Sequence, residues 1–116
     1  MRLPFIDDFG NKYNITLKIS SYEEGGSLAI AMLYYDSDFK TDMPYGVLTV
    51  NLCQKLEPDC AFVDTNNCGK NIMRFIEDNK LGTLTGKTVR SGFCTYPEVR
   101  FNLERIREAE NESYSK

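Results

Sequence analysis

The sequence lacks histidine and tryptophan, and the first of these absences removes several classes of active site. Histidine is the base of a serine triad or a cysteine dyad and the commonest protein ligand of zinc. The cysteines also form no C-x-x-C pair, which disfavours a zinc ribbon and a thioredoxin-like motif. They are Cys53, Cys60, Cys68 and Cys94. We therefore expect a protein that is not an enzyme, binds no metal and needs no cofactor.

Long apolar runs are also missing. No stretch approaches the roughly 18 apolar residues that a membrane span requires, so we expect no membrane partner. The start of the chain, MRLPFIDDFG, lacks the apolar run and the cleavage site of a secretory signal. The cysteines are then expected to be reduced thiols. These features predict a soluble protein of the cytoplasm.

The 116 residues that are present suit one globular domain, since 41% of them are hydrophobic and 12% aromatic. Acidic side chains dominate residues 23–64, and basic ones dominate residues 65–107. This gradient indicates either a mixed solvated surface or a basic face that meets an anion. The net charge is −3, and we do not expect nucleic acid as a partner.

Alternation of polar and apolar side chains predicts that much of the chain forms strands. Residues 12–22 alternate cleanly, which indicates a half-buried strand. Residues 27–35 are apolar on both sides and predict a central strand that forms a hairpin with the first. Residues 36–45, which include Pro44, are predicted as a loop. Further strands are predicted over residues 3–9, 46–52, 61–64, 83–91 and 98–103.

One amphipathic segment predicts the main helix, over residues 69–80. Its apolar side chains recur at helical spacing. They are Ile72, Met73, Phe75 and Ile76. The preceding Thr-Asn-Asn string offers N-cap side chains, and Gly82 just beyond the helix suits a left-handed position at its C-terminal end.

Together these elements predict an α+β fold, with a largely antiparallel sheet of five or six strands packed with one main helix. We expect a single domain over residues 1–103. The charged segment over residues 104–116 has few apolar side chains, so we expect a tail that is either a short helix or disordered.

The first candidate site is the string FVDTNNC, residues 62–68, which leads into the predicted helix. A helix N-terminus presents free backbone N–H groups and a partial positive charge, so it favours an anion or a thiolate. Asn66, Asn67 and Cys68 lie there, and Cys68 is either an activated nucleophile or a structural thiol. Helix capping alone also explains the two asparagines.

The second candidate site is the string SGFCTYP, residues 91–97, which is flanked by Arg90 and Arg100. It contains Phe93 and Tyr96, and aromatic side chains beside positive charge suit base stacking or protein contact. Alternatively, both aromatic side chains pack against the sheet. We expect the two strings to meet in space and to form one surface that a ligand or a partner protein enters.

At these two strings the chain resembles a family of small uncharacterised proteins, a domain of unknown function found in gut bacteria, their mobile elements and phages. The joint TNNC and SGFCxYP strings carry the resemblance, which covers about residues 12–103. It implies an accessory protein of mobile DNA and brings no catalytic residue with it. Supporting strings are GxLTVNL at 46–52, DNKLG at 78–82, TG at 85–86 and SGFCTYPxxRFxL at 91–103.

Three functions remain open at this point. The first is a small intracellular binding protein of a mobile element or phage that contacts another protein. The second is a small-anion or nucleotide-binding protein that uses residues 66–70 with Arg90 and Arg100. The third is an enzyme that depends on Cys68. The first is preferred because the usual catalytic constellations are missing.

Overall fold

Strands make up most of the computed structural model, which describes residues 2–23, 26–52 and 56–114. Eight strands and three helices occur along these residues. The strands are β1 (Leu3–Ile6), β2 (Lys12–Ser21), β3 (Leu28–Asp36), β4 (Thr41–Val47), β5 (Thr49–Val50), β6 (Cys60–Val63), β7 (Gly82–Ser91) and β8 (Cys94–Phe101). The helices are α1 (Thr65–Cys68), α2 (Asn71–Asp78) and α3 (Leu103–Tyr114).

The first sheet is an antiparallel meander in the order β1-β2-β3-β4. The predicted hairpin is confirmed, since β2 pairs with β3 from Ile15–Tyr34 to Ser21–Leu28. The prediction of a loop over residues 36–45 is wrong, because the chain turns and returns along β3 as β4. Pro44 is compatible with β4 because this strand lies at the edge of the sheet, where a missing N–H need not break the ladder.

The second sheet has the order β5-β6-β8-β7 and is also antiparallel. The single strand predicted over residues 46–52 is divided between the two sheets, because β4 ends at Val47 and β5 begins at Thr49. Leu48 between them is fully buried, and its N–H donates to the Ile30 carbonyl at 2.8 Å. The α+β class and the antiparallel pairing are confirmed, but two sheets of four strands replace one sheet of five or six.

The predicted helix over residues 69–80 is observed as two helices. Gly69, with a φ of 83°, separates α1 from α2. The residue in the left-handed conformation after α2 is Lys80 rather than Gly82. Gly82 lies in β7, where a Cβ would be 2.7 Å from the Arg100 carbonyl oxygen. This glycine therefore serves the close approach of two strands and not a helix cap.

One hydrophobic core contains side chains from both sheets together with α2 and α3. Phe5 of β1 packs edge-on against Phe75 of α2, with ring centroids 5.3 Å apart. Ile106 of α3 is fully buried in the same core. The division into a domain over residues 1–103 and a tail over residues 104–116 stays a prediction. However, the core includes Ile106, which lies beyond residue 103.

Candidate functional site

The first candidate string begins at the N-terminus of α1, which Asp64 caps. The Asp64 carboxylate accepts a hydrogen bond from the Asn67 backbone N–H at 3.1 Å and another from its side-chain amide at 2.8 Å. Asp64 is itself buried, whereas Asn66 and Asn67 are exposed. The expectation that the Thr-Asn-Asn string supplies the cap is wrong, because these residues lie inside α1 and Asp64 caps it; Asn67 donates to the cap through its backbone N–H and its side-chain amide.

The N-terminus of α2 is capped by a residue from the β1–β2 turn. The Asp8 carboxylate accepts hydrogen bonds from the backbone N–H groups of Lys70 at 2.9 Å and Asn71 at 2.8 Å. Gly69 makes room for it, because a Cβ there would lie 2.6 Å from an Asp8 oxygen. Within residues 66–70, the Asn67 and Lys70 N–H groups are therefore occupied by the chain's own carboxylates, and the Cys68 N–H donates to the Asp64 carbonyl. This geometry does not support the anion-binding alternative.

Cys68 is a buried thiol whose Sγ donates to the Val47 carbonyl at 3.4 Å. Burial, with a smaller contribution from the negative charge of Asp64, raises the pKa of Cys68 to about 11. A reactive cysteine needs the opposite environment, one that stabilises the thiolate. The sequence left two roles open for Cys68, an activated nucleophile and a structural thiol. The geometry supports the structural thiol.

The other described cysteines are also free thiols. Cys60 is buried, Cys94 is partly exposed, and neither is joined in a disulfide. Cys60, Cys68 and Cys94 are thus unpaired in the structure, while Cys53 lies outside the described residues; the expectation of reduced thiols stays a prediction. Burial, with a smaller contribution from neighbouring carboxylates, raises the pKa of Cys60 despite the nearby Arg100.

The second candidate string begins at the last residue of β7, continues through the β7–β8 turn and covers the first half of β8. Arg90 is exposed on β7, and Phe93 in the turn is fully exposed. Tyr96 is buried instead, and its pKa is raised by burial, by a hydrogen bond with Cys94 and by the charge of Asp64. Of the two aromatic side chains, Tyr96 packs against the protein and Phe93 remains available for contact.

The two strings meet at one end of the second sheet. Phe62 of β6 pairs with Glu98 of β8, so Asp64 lies level with Tyr96 two residues further along. Arg100 does not join them, because it pairs with Cys60 near the other end of β6 and forms an ion pair with Asp59 at 3.8 Å. The side chains that remain exposed at the shared end are Asn66, Asn67, Arg90 and Phe93.

Sequence reasoning missed two further exposed aromatic side chains at hairpin turns. Phe9 in the β1–β2 turn is 90% exposed, and Phe39 in the β3–β4 turn is 73% exposed. Because Ile15 pairs with Tyr34, both turns lie at the same end of the first sheet. The available signal was an aspartate two or three residues before each phenylalanine, which is typical of a tight turn. We call Phe9, Phe39 and Phe93 the turn phenylalanines.

Side-chain hydrogen bonds hold two of the turn phenylalanines in place. The Asp7 carboxylate accepts from the Phe9 N–H at 2.9 Å, and the Asp36 carboxylate accepts from the Phe39 N–H at 3.2 Å. Burial opposes ionisation of Asp7, but hydrogen bonds led by those from Asn11 outweigh it and lower the pKa of this carboxyl group. The ionised carboxylate therefore rigidifies the β1–β2 turn.

The described residues offer neither a metal-binding cluster nor a membrane-spanning helix. No group of three or more cysteine, aspartate or glutamate side chains is arranged there to hold a metal ion. Within the same part of the chain, no helix has the length and apolar character to cross a membrane.

Two four-stranded antiparallel sheets with three helices define an α+β protein whose exposed site residues lie on turns, on one hairpin and on the short helix α1. The chain belongs to the family described as domain of unknown function DUF4313, whose family model matches residues 16–115. The match includes α3, although the resemblance was expected to end at Leu103. No curated protein matches the chain. No solved structure matches it either.

Proposed function

We propose that this protein is a non-enzymatic binding protein that contacts another protein through its exposed hairpin turns. The observation that supports the proposal is the exposure of all three turn phenylalanines, at least 73% in each case. Burying a phenylalanine side chain stabilises a fold by about 1.5–3 kcal/mol. Three rings left in water forgo this stabilisation, and a partner's surface would recover it.

The rigidity of the turns favours the same function. A turn whose backbone is fixed before binding loses little conformational entropy when a partner covers it. The backbone N–H groups of Phe9 and Phe39 donate to the Asp7 and Asp36 carboxylates, which fixes the backbone of two of the three turns. Aromatic anchors of this kind contribute much of the affinity in protein interfaces.

The setting of the proposed function is the cytoplasm of a bacterium that carries a mobile element or phage. This part of the proposal rests on the resemblance carried by the TNNC and SGFCxYP strings. The genes that flank the coding sequence test it directly. Integration, conjugation or phage genes on either side would support the setting, and a conserved housekeeping operon would contradict it.

Capture experiments with matched variants test the binding function. Tagged wild-type protein and the variants Phe9→Ala, Phe39→Ala and Phe93→Ala are each incubated with bacterial lysate, and the captured proteins are quantified by mass spectrometry. We expect at least one captured protein to fall about tenfold with a phenylalanine variant, because an anchor is removed. Thr95→Ala, an exposed substitution on the β7–β8 hairpin, is the control and should leave capture unchanged. Identical capture by all variants would contradict the proposal.

A further inference from the structure

The second sheet ends in a long edge strand. In the order β5-β6-β8-β7, β7 is hydrogen-bonded to β8 on one side only. It has ten residues, and all but Gly82 and Val89 are exposed. The other three edges are less suited to pairing, because β5 has two residues, β1 has four, and β4 contains Pro44. Among the described strands, β7 is therefore the edge best suited to accept another strand.

A bulge divides β7 and leaves its second half regular. Leu84 pairs with Val99 and Thr88 with Pro97, so β7 has two more residues than β8 over this stretch. The Thr85 hydroxyl donates to the Glu98 carboxylate at 2.6 Å and accepts from the Lys87 N–H at 3.3 Å, which holds the bulge. Residues 88–91 then pair with β8 without interruption up to the turn that carries Phe93.

The charge on this edge selects against self-pairing. Lys87 and Arg90 are the charged residues of β7, and both are exposed. An antiparallel pair of two β7 strands in a register that sets Lys87 opposite Arg90 would oppose like charges, which is destabilising. Bulges and edge lysines are also features by which proteins prevent edge-to-edge association. A partner strand that carries carboxylates avoids the charge repulsion, and residues 88–91 lie beyond the bulge and are regular.

We propose that residues 88–91 of β7 bind an extended acidic segment of a partner protein as an additional strand. Main-chain hydrogen bonds would supply affinity, as in other cases of strand addition. Carboxylates beside Lys87 and Arg90 would supply specificity, and an apolar side chain would cover Phe93. This inference rests on the proposed function. It states the chemistry of the partner segment that binds beside one of the three turns, the one that carries Phe93.

Three synthetic peptides test the inference on the intact protein. The first is a blocked seven-residue peptide that alternates valine with glutamate. The second replaces each glutamate with lysine, and the third replaces each valine with proline, which keeps the charge but removes strand donors. We expect the acidic peptide to bind at least tenfold more tightly than either control, with affinity that falls as salt rises. It should also slow hydrogen exchange at residues 88–91.

A charge reversal provides the matched variant. K87E/R90E should reverse the preference, so that the lysine peptide binds more tightly than the glutamate peptide. Both substituted side chains are exposed, and an unchanged melting temperature would confirm that the fold is retained. Reversal at two exposed lysines of β2, K12E/K18E, is the control and should leave the preference for the acidic peptide in place.

Other outcomes would overturn the inference. Equal affinity for the glutamate and lysine peptides would exclude charge selection, and equal affinity for the proline peptide would exclude strand pairing. Pairing of β7 with a second copy, seen as a dimer that K87E/R90E changes, would replace the acidic partner with the protein itself. If no peptide binds while Phe93→Ala still loses a captured protein, strand addition fails and the binding function stands. If the acidic peptide binds while no phenylalanine variant changes capture, the proposed function fails instead.

Discussion

Cys68 is the last residue of α1, a helix of only four residues. The sequence places it near a helix N-terminus, where the backbone dipoles of a long helix would stabilise a thiolate. In the structure α1 ends at Cys68, and the charge that acts on the thiol is that of Asp64. Burial and this carboxylate both favour the protonated form. The chemistry of this residue is therefore set by what surrounds it.

We predict that iodoacetamide labels Cys68 far more slowly than Cys94 at pH 7. Raising the pKa from 9.0 to about 11 lowers the thiolate fraction about 100-fold, and burial slows access further. Cys94 is partly exposed and serves as the internal control. Timed labelling followed by peptide mass spectrometry measures both sites. If Cys68 reacted as fast as Cys94, the structural role would be wrong and the nucleophile hypothesis would return.

At the scale of elements, the β1–β2 turn and α2 form one unit. Asp8 in the turn caps α2, and the Asn71 side chain of α2 donates to the Asp7 carbonyl at 3.1 Å. The turn that exposes Phe9 is therefore fixed to the helix as well as to its own strands. Because Asp8 lies more than 60 residues before the N–H groups that it accepts from, this cap joins the start of the chain to its middle.

Asp8→Ala should lower the free energy of unfolding by about 1–2 kcal/mol, because two backbone donors of α2 lose their acceptor. Asp8→Asn keeps an acceptor oxygen and should cost less. Urea unfolding followed by circular dichroism measures both variants. Asp38→Ala, at an exposed aspartate of the β3–β4 turn, is the control and should change stability by less than about 0.5 kcal/mol. Equal effects of Asp8→Ala and Asp38→Ala would show that the cap contributes nothing.

At the scale of the whole molecule, both sheets share one core with α2 and α3. The N–H of Ile106 donates to the Asn102 carbonyl, and the Asn102 N–H donates to the Leu81 carbonyl at 2.7 Å. This links the start of α3 to the chain that follows α2. The family match, which continues to residue 115, covers α3 together with the sheets.

Ile106→Ala should destabilise the protein by about 2–5 kcal/mol, because it leaves a cavity at a fully buried position. Thermal and urea unfolding of the same samples measure the loss. Arg107→Ala, at the next and exposed position of α3, should have an effect of less than about 0.5 kcal/mol. A small effect of Ile106→Ala would indicate that α3 is an appendage, as the charge of this segment suggested.

The helical stripe and the alternating strands were predictable because they depend on local periodicity. The pattern over residues 12–22 and 27–35 suffices for β2, β3 and their pairing, and the stripe from Ile72 to Ile76 suffices for α2. The strand β4 was not predictable, because Pro44 and its polar neighbours suit a loop, and the strand depends on its pairing with β3 and on the packing of Tyr45 against Phe5 and Tyr13. The chain passes from the first sheet to the second at Leu48, and no periodic pattern in the sequence indicates this passage.

The features of the candidate site also fall into those that the sequence could identify and those that only the structure could. The sequence by itself determined that no histidine-based chemistry is available and that two strings, around Asn67 and around Phe93, are distinctive. Only the tertiary structure decided that Asp8 occupies the helix N-terminus, that Tyr96 is buried while Phe93 is exposed, and that Arg100 lies elsewhere. The physical reason is that capping, burial and charge depend on neighbours that are distant in the chain, whereas sequence patterns report on neighbours within a few residues.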